Sequence, residues 1–186
     1  MSFDVLFWRN EPLSANETKL LNAVESAHRC SALRNTGSSG AVLNAASGSG
    51  RFEAAIASGI LALGGKHGPI ADIVRFLDRS ADEILADVET RLSSKRPIPG
   101  WGNSFFKGRP DPDWVAVDEA LKGFPIRETI ALVSDRLHKQ GKRVFPNAGC
   151  FTAATAIILR MPAAVSPYLL IYARLPVWAS LAAQYL

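Results

Sequence analysis

Apolar residues recur every three to four positions along most of the chain, which is the spacing of one helix face. Two capping boxes, Ser14–Glu17 and Ser80–Glu83, mark helix starts, because each Ser and Glu satisfy free N–H groups of a first turn. Apolar series follow both boxes: Leu20, Leu21, Val24 and Ala27, then Ile84, Leu85 and Val88. Further helices are predicted for 52–63, 126–140, 147–160, after His67, and from Ser166 onward. The pattern predicts an all-α fold.

Two segments interrupt this pattern. Residues 34–50 are rich in Gly, Ser, Asn and Ala, which permits tight helix crossings, a ligand lying on backbone, or a plain flexible loop. Residues 93–112 place cations around Ile98–Asn103. Such a loop can hold a flat ring and phosphates, and it equally suits an aromatic-anchored surface loop. The residues alone leave both segments open.

Composition narrows the function classes. The chain has 186 residues, 48% of them hydrophobic, so it can bury a real core within one compact unit. Its net charge of +4 is mild and suits anionic small molecules; a clustered basic stripe for nucleic acid is absent from the sequence. The two cysteines, Cys30 and Cys150, suggest neither a disulfide framework nor a metal site, so a cytoplasmic location is the default. Met1–Asn10 contains Asp4 and lacks an apolar core, so a signal peptide is not expected.

The stretch from Pro162 to Leu186 is long enough to span a bilayer and carries one charge, Arg174. A charge and Pro176 in mid-segment disfavour a membrane span. The sequence instead predicts a buried core helix with one inward arginine, and no membrane partner.

Gly59–Asp72 is the most distinctive stretch. Gly64-Gly65 ends an apolar run, and a helix is predicted to start just after His67. A helix start favours an anion, Lys66 adds a positive charge, and His67 can exchange a proton near neutral pH. Taken alone, the stretch fits a helix corner with a structural histidine better than a reactive site.

Four stretches in order nevertheless resemble the citrate synthase and citryl-CoA lyase family. The first is Gly64–Asp72, which is similar to the family's first histidine motif. The second is Pro99–Ser104 with Lys107 and Asp111-Pro112, similar to its glycine-histidine-arginine loop. Pro146–Gly149 resembles the proline-asparagine-x-aspartate motif, and Tyr172–Arg174 with Trp178 resembles its C-terminal arginine helix.

The resemblance implies a citrate synthase-like helical fold, with 1–68 and 163–186 as a reduced large domain and 69–162 as a small domain. It implies a homodimer, and a CoA thioester bound as substrate without a metal. His67 matches the histidine that stabilises the enol, Asn103 matches the second histidine, and Arg174 keeps a carboxylate-binding arginine. Arg34 falls near a histidine that seats the oxoacid. CoA would contact the loop through Ile98, Gly100, Trp101, Gly102, Lys107 and Arg109.

The same alignment shows departures. Gly149 stands where the family has its catalytic aspartate, and glycine cannot act as a base. Ser104 and Asp113 stand in place of arginines, and Asn103 cannot exchange a proton at neutral pH. Losing a positioned base costs on the order of 10²–10⁴ in rate. The prediction is therefore a protein that binds a CoA thioester and a carboxylate, with C–C bond synthesis or cleavage impaired or altered. The alternative is a non-catalytic regulatory or structural partner of a complete paralogue.

Overall fold

The structure is a computed structural model. It describes residue 9 and residues 11–34, 36–63 and 70–185, without the side chains of residues 33, 34 and 36. This part of the chain is α-helical with no strand, and a single isolated bridge joins Trp101 and Pro146. The α-helices are α1 (Ala15–Arg34), α2 (Thr36–Ser49), α3 (Phe52–Ala62), α4 (Ile70–Leu77), α5 (Ala81–Ser93), α6 (Val115–Ala120), α7 (Ile126–Lys139), α8 (Ala148–Ile158) and α9 (Pro167–Ala183). Short 3₁₀ turns lie at Pro112–Trp114 and Ala163–Val165.

Both predicted capping boxes are present. The Ser14 N–H donates to the Glu17 carboxylate (2.7 Å), and the Glu17 N–H donates to the Ser14 hydroxyl (3.3 Å). Ser80 and Glu83 exchange the same pair of bonds at the start of α5. Each box stabilises its helix end typically by about 1 kcal/mol relative to alanine at the cap.

The small-residue segment forms helix α2, which packs closely against α3. A Cβ on Gly59 would lie only 2.6 Å from Val42 Cγ2 and 3.2 Å from the Trp178 ring. The tight crossing, one of the interpretations left open by the sequence, is therefore the one found.

Helix α9 joins two apolar clusters. Its first half contributes Leu169 and Leu170 to the main core, which includes side chains of α1 and α4 to α8. Its second half contributes Trp178 and Ala182 to a smaller core with α2 and α3. The helix continues through Pro176, and none of the described helices is long and apolar enough to cross a membrane. The predicted inward arginine is confirmed, since Arg174 is 4% exposed.

Candidate functional site

A cavity of about 980 Å³ opens between α4, the loop after α5, the start of α8 and helix α9. The structure brings together here residues that are far apart in the sequence. Most of the predicted site residues line it, namely Ile98, Gly100, Trp101, Gly102, Asn103 and Arg174, together with Gly149, which the resemblance places at the family's aspartate. Lys66 and His67 lie outside the described residues, as does the side chain of Arg34.

Asn147 ties the loop to the start of α8. Its side-chain oxygen accepts from the Gly149 N–H (2.9 Å) and the Cys150 N–H (3.2 Å), which caps the helix. Its amide nitrogen donates to the Gly102 carbonyl (2.8 Å), and its backbone N–H donates to the Gly100 carbonyl (2.9 Å). One asparagine therefore fixes two walls of the cavity relative to each other.

Glycine is required at position 100. Gly100 has a φ of +87°, which L side chains rarely adopt, and a Cβ there would lie 3.0 Å from Cys150 Cβ. Trp101 beside it is 7% exposed, and its indole N–H donates to the Ser134 hydroxyl (3.0 Å). Trp101 thus anchors the loop to α7 while its surface lines the cavity.

Asn103 is held in a fixed orientation. Its amide nitrogen donates to the Asp111 carboxylate (3.4 Å), and its side-chain oxygen accepts from the Phe105 N–H (2.9 Å). The second amide hydrogen remains available to a substrate oxygen. Asp111, which also lines the cavity, accepts from the Asp113 N–H (3.1 Å) and is 8% exposed.

Near Gly149 on α8, the described side chains offer no base. Burial raises the pKa of the Cys150 thiol well above its ordinary value, which keeps it protonated. The Thr152 hydroxyl donates to the Ala148 carbonyl (2.7 Å). A Cβ at Gly149 would lie 2.7 Å from Ile73 Cδ1, so this site is filled by a neighbouring apolar side chain.

Arg174 places a positive charge against the cavity. Its Nη1 donates to the Ser38 hydroxyl (3.3 Å), whereas its buried Nε has no hydrogen-bond partner in the described part of the chain. Burial lowers the pKa of Arg174 to about 10, so it remains charged at neutral pH. A buried cation of this kind favours an anionic ligand.

His28 is buried near Arg174, with Trp114 packed against it, and neither residue is singled out by the sequence. His28 Nε2 lies 2.8 Å from Thr152 Oγ1, and its ring meets the Trp114 ring edge-on at 4.9 Å. Burial, assisted by the Arg174 charge, lowers the pKa of His28 to about 3. The helical spacing from Leu21 and Val24 to residue 28 was a signal that this histidine would be buried.

A smaller pocket of about 270 Å³ shares Gly102, Asn103 and Ser104 with the large cavity. Its lining includes the predicted Lys107 and Arg109, and also Arg143, which sequence reasoning missed. Within the described part of the chain, no ion pair engages these three cations. They form a positively charged wall suited to phosphates.

Solved structures share this architecture. Citryl-CoA lyase from Hydrogenobacter thermophilus superposes with a TM-score of 0.83 at 21% identity, over 99% of this chain and 75% of that one. Citrate synthase from Thermotoga maritima MSB8 superposes with a TM-score of 0.79 at 21% identity, over 97% of this chain and 51% of that one. No protein-family model and no curated protein matches the chain.

The resemblance predicted from the sequence is confirmed at the level of the fold. The chain has the all-α fold of citryl-CoA lyase and citrate synthase, and it spans about half to three quarters of the length of these two proteins. The division into 1–68 with 163–186 and 69–162 stays a prediction.

Proposed function

We propose that this protein binds a CoA thioester and a small carboxylate, with the carboxylate in the large cavity beside Arg174. The observation that carries the proposal is the convergence of Asn103, Gly149 and Arg174 on one cavity that also exposes the Gly100–Gly102 turn. This arrangement matches the motifs on which the family resemblance was based.

The two pockets adjoin at Gly102, Asn103 and Ser104, and this supports the CoA assignment. The smaller pocket offers charges for phosphates from Lys107, Arg109 and Arg143. The larger pocket is bordered by residues 98–102. A nucleotide end held by the cations would therefore leave a thioester arm within reach of the large cavity. Asn103 would then donate a hydrogen bond to a carbonyl oxygen.

The chemistry of C–C bond formation is impaired or altered in this proposal. Enolisation needs a base within hydrogen-bond reach of the acyl carbon, and Gly149 offers none. The alternative function, a non-catalytic regulatory or structural partner of a complete paralogue, is favoured by the same substitution. Cytoplasmic location stays a prediction.

The CoA assignment is tested by thermal unfolding with CoA and acetyl-CoA at millimolar concentration. A ligand at a hundred times its Kd adds about 2.7 kcal/mol to the free energy of unfolding, which raises Tm by several degrees. Arg143→Ala and Lys107→Ala should reduce this rise, because each removes a charge from the smaller pocket. Lys19→Ala, an exposed lysine of α1 that lines neither pocket, is the matched control. An unchanged Tm for the unmodified chain would contradict the assignment.

A further inference from the structure

Phe105 is a large apolar side chain that remains in solvent at the rim of the large cavity. It is 73% exposed and lines the cavity. The next residue, Phe106, is half-buried and lines both pockets. Isolated exposed apolar residues are common on protein surfaces. Phe105 differs from them because it lines a cavity and shares its loop with Lys107 and Arg109, so a ligand held by these cations can cover it.

The backbone on both sides of the two rings is held by hydrogen bonds. The side-chain oxygen of Asn103 accepts from the Phe105 N–H (2.9 Å) before the pair. The Arg109 N–H donates to the Phe106 carbonyl (3.2 Å) and closes a turn after it. A ring carried on a held backbone loses little conformational freedom when a ligand covers it, and this favours binding.

The two rings differ in what already covers them. The Arg109 guanidinium lies over the Phe106 ring, 5.4 Å from its centroid. This contact uses the flat face of the guanidinium, so the N–H groups in its plane remain able to donate to a phosphate. Among the described residues, neither a second ring nor a cation lies on Phe105. Phe105 is therefore the ring of this pair with a face open to a ligand.

Three exposed cations line the adjoining smaller pocket, namely Lys107, Arg109 and Arg143. Lys107 is two residues from Phe105, so their Cα atoms are at most about 8 Å apart. In a nucleotide, one ribose separates the base from a phosphate, which is a separation of the same order. An exposed aromatic ring next to exposed cations is the combination with which proteins hold bases and phosphates together.

Asp111 brings a negative charge to the same smaller pocket. It is 8% exposed, and its two carboxylate oxygens accept hydrogen bonds from the Asp113 N–H (3.1 Å) and the Asn103 amide (3.4 Å). Both oxygens are thus engaged by donors of the loop, while the cations are exposed. A phosphate that approaches from solvent therefore meets the cations first.

We propose that Phe105 is a stacking platform for the heteroaromatic base of a ligand whose phosphates bind Lys107, Arg109 and Arg143. The inference rests on the proposed function and specifies its thioester as one carried on a nucleotide. A thioester on phosphopantetheine alone has no base to cover the Phe105 ring. Stacking of a base on an aromatic side chain is typically worth about tenfold in affinity or more, so Phe105 selects for the nucleotide carrier.

The stacking contact is tested by calorimetric titration of the full chain with adenosine 3′,5′-bisphosphate, which has the base and phosphates without a thioester arm. In Phe105→Leu, which keeps an apolar side chain and removes the ring, we expect about tenfold weaker binding. Phe105→Trp should keep the affinity of the unmodified chain, because a base also stacks on an indole. Equal affinity in Phe105→Leu and the unmodified chain would overturn the platform. An equal loss in Phe105→Leu and Phe105→Trp would overturn it too, since a structural role needs no aromatic ring.

Phe52→Leu is the matched control, because Phe52 is also an exposed phenylalanine but lies on α3 and lines neither pocket. Its affinity for adenosine 3′,5′-bisphosphate should equal that of the unmodified chain. Without ligand, Phe105→Leu should unfold at the Tm of the unmodified chain, since the ring it removes is 73% exposed. A loss of affinity in Phe52→Leu as large as in Phe105→Leu would contradict the proposal.

Titrations with CoA and with 4′-phosphopantetheine separate this inference from the proposed function. We expect CoA to bind about tenfold more tightly than phosphopantetheine, and we expect Phe105→Leu to remove that difference. CoA binding that is unchanged in Phe105→Leu would overturn the platform and leave the CoA assignment standing. Binding of adenosine 3′,5′-bisphosphate that depends on Phe105, without binding of CoA, would support the platform and contradict the CoA assignment. If neither nucleotide binds at millimolar concentration, both are refuted.

Discussion

At the scale of single residues, the site combines a buried cation with a buried neutral histidine and a glycine that has no functional group. Arg174 stays charged despite burial, whereas burial keeps His28 neutral. Gly149 lies on the cavity without a functional group, and Ile73 fills the space next to it. These three positions lead to two predictions.

The first prediction concerns His28 and acid stability. His28 has a pKa of about 3 when folded and 6.5 ordinarily, so between these values the unfolded state binds the extra proton. Stability should therefore fall as pH decreases below 6.5, by up to about 1.4 kcal/mol per pH unit from this group. Above pH 6.5 the group is neutral in both states and contributes no pH dependence.

The measurement is urea unfolding between pH 7 and pH 4. In His28→Gln, which keeps an N–H donor for Thr152, the decline should be shallower than in the unmodified chain. His138→Gln removes an exposed histidine from α7 and serves as the control. Parallel pH curves for His28→Gln and the unmodified chain would contradict the assignment of His28 as neutral in the fold.

The second prediction concerns restoring the base. The unmodified chain should make citrate from acetyl-CoA and oxaloacetate undetectably or very slowly. Gly149→Asp with Asn103→His returns the family residues, but the new Cβ would meet Ile73 Cδ1 at 2.7 Å. Adding Ile73→Val removes that methyl group and should make the restored variant more active than the double variant.

Release of CoA with oxaloacetate present measures the gain, and Ile73→Val alone is the control for repacking. Because a positioned base contributes about 10²–10⁴ in rate, a functional pocket should show an increase of that order. A normal synthase rate in the unmodified chain would show that Gly149 does not occupy the base position.

At the scale of elements, two close approaches define how the helices meet. Asn147 joins the cap of α8 to the cavity loop, and Gly59 lets α3 approach α2. Asn147 acts through the hydrogen bonds of its side-chain amide, and Gly59 acts because it has no Cβ. Gly59 offers the cleaner stability test, since it does not line either pocket.

The third prediction is that Gly59→Ala destabilises the fold by about 1–3 kcal/mol, the usual cost of overpacking. The new methyl group would lie 2.6 Å from Val42 Cγ2, and a β-branched side chain cannot easily rotate away. Gly40→Ala in α2 is the control, because a Cβ there meets nothing within 4 Å. It should stabilise by about 0.4–1 kcal/mol through lower unfolded-state entropy. Urea unfolding compares both, and equal stability of the two variants would argue against the close crossing.

At the scale of the whole molecule, helix α3 carries apolar side chains that are exposed in the described part of the chain. Phe52 and Ile60 are 40% and 38% exposed, and Leu61 is 79% exposed. The homodimer predicted from the family resemblance, in which a second copy packs against α3 across a two-fold axis, would bury such side chains.

The fourth prediction is that the protein is a homodimer at micromolar concentration and that Leu61→Glu shifts it toward monomer, because a buried unpaired carboxylate at the interface is costly. Light scattering coupled to size-exclusion chromatography measures the mass. Leu132→Glu is the control, since Leu132 is 40% exposed on α7 rather than on α3. A monomeric unmodified chain would refute the dimer.

The sequence by itself determined most of the helices, although it left residues 34–50 open. The capping boxes at Ser14 and Ser80 act over a few positions, so local reasoning sufficed. Motif order also predicted the fold that the structural comparisons confirm. The sequence also predicted a buried core helix that carries one inward arginine, and Arg174 is buried.

Only the tertiary structure decided which residues line each pocket. Arg143 shares a pocket with Lys107, although the two residues are far apart along the chain. His28 likewise lies near Arg174 and packs against Trp114. The small-residue segment could equally have been a loop until its packing against α3 showed a tight crossing. Whether a side chain is buried, whether a histidine stays neutral and whether a donor finds a hydrogen-bond partner all depend on which residues of other helices surround it. No local sequence pattern encodes these neighbours.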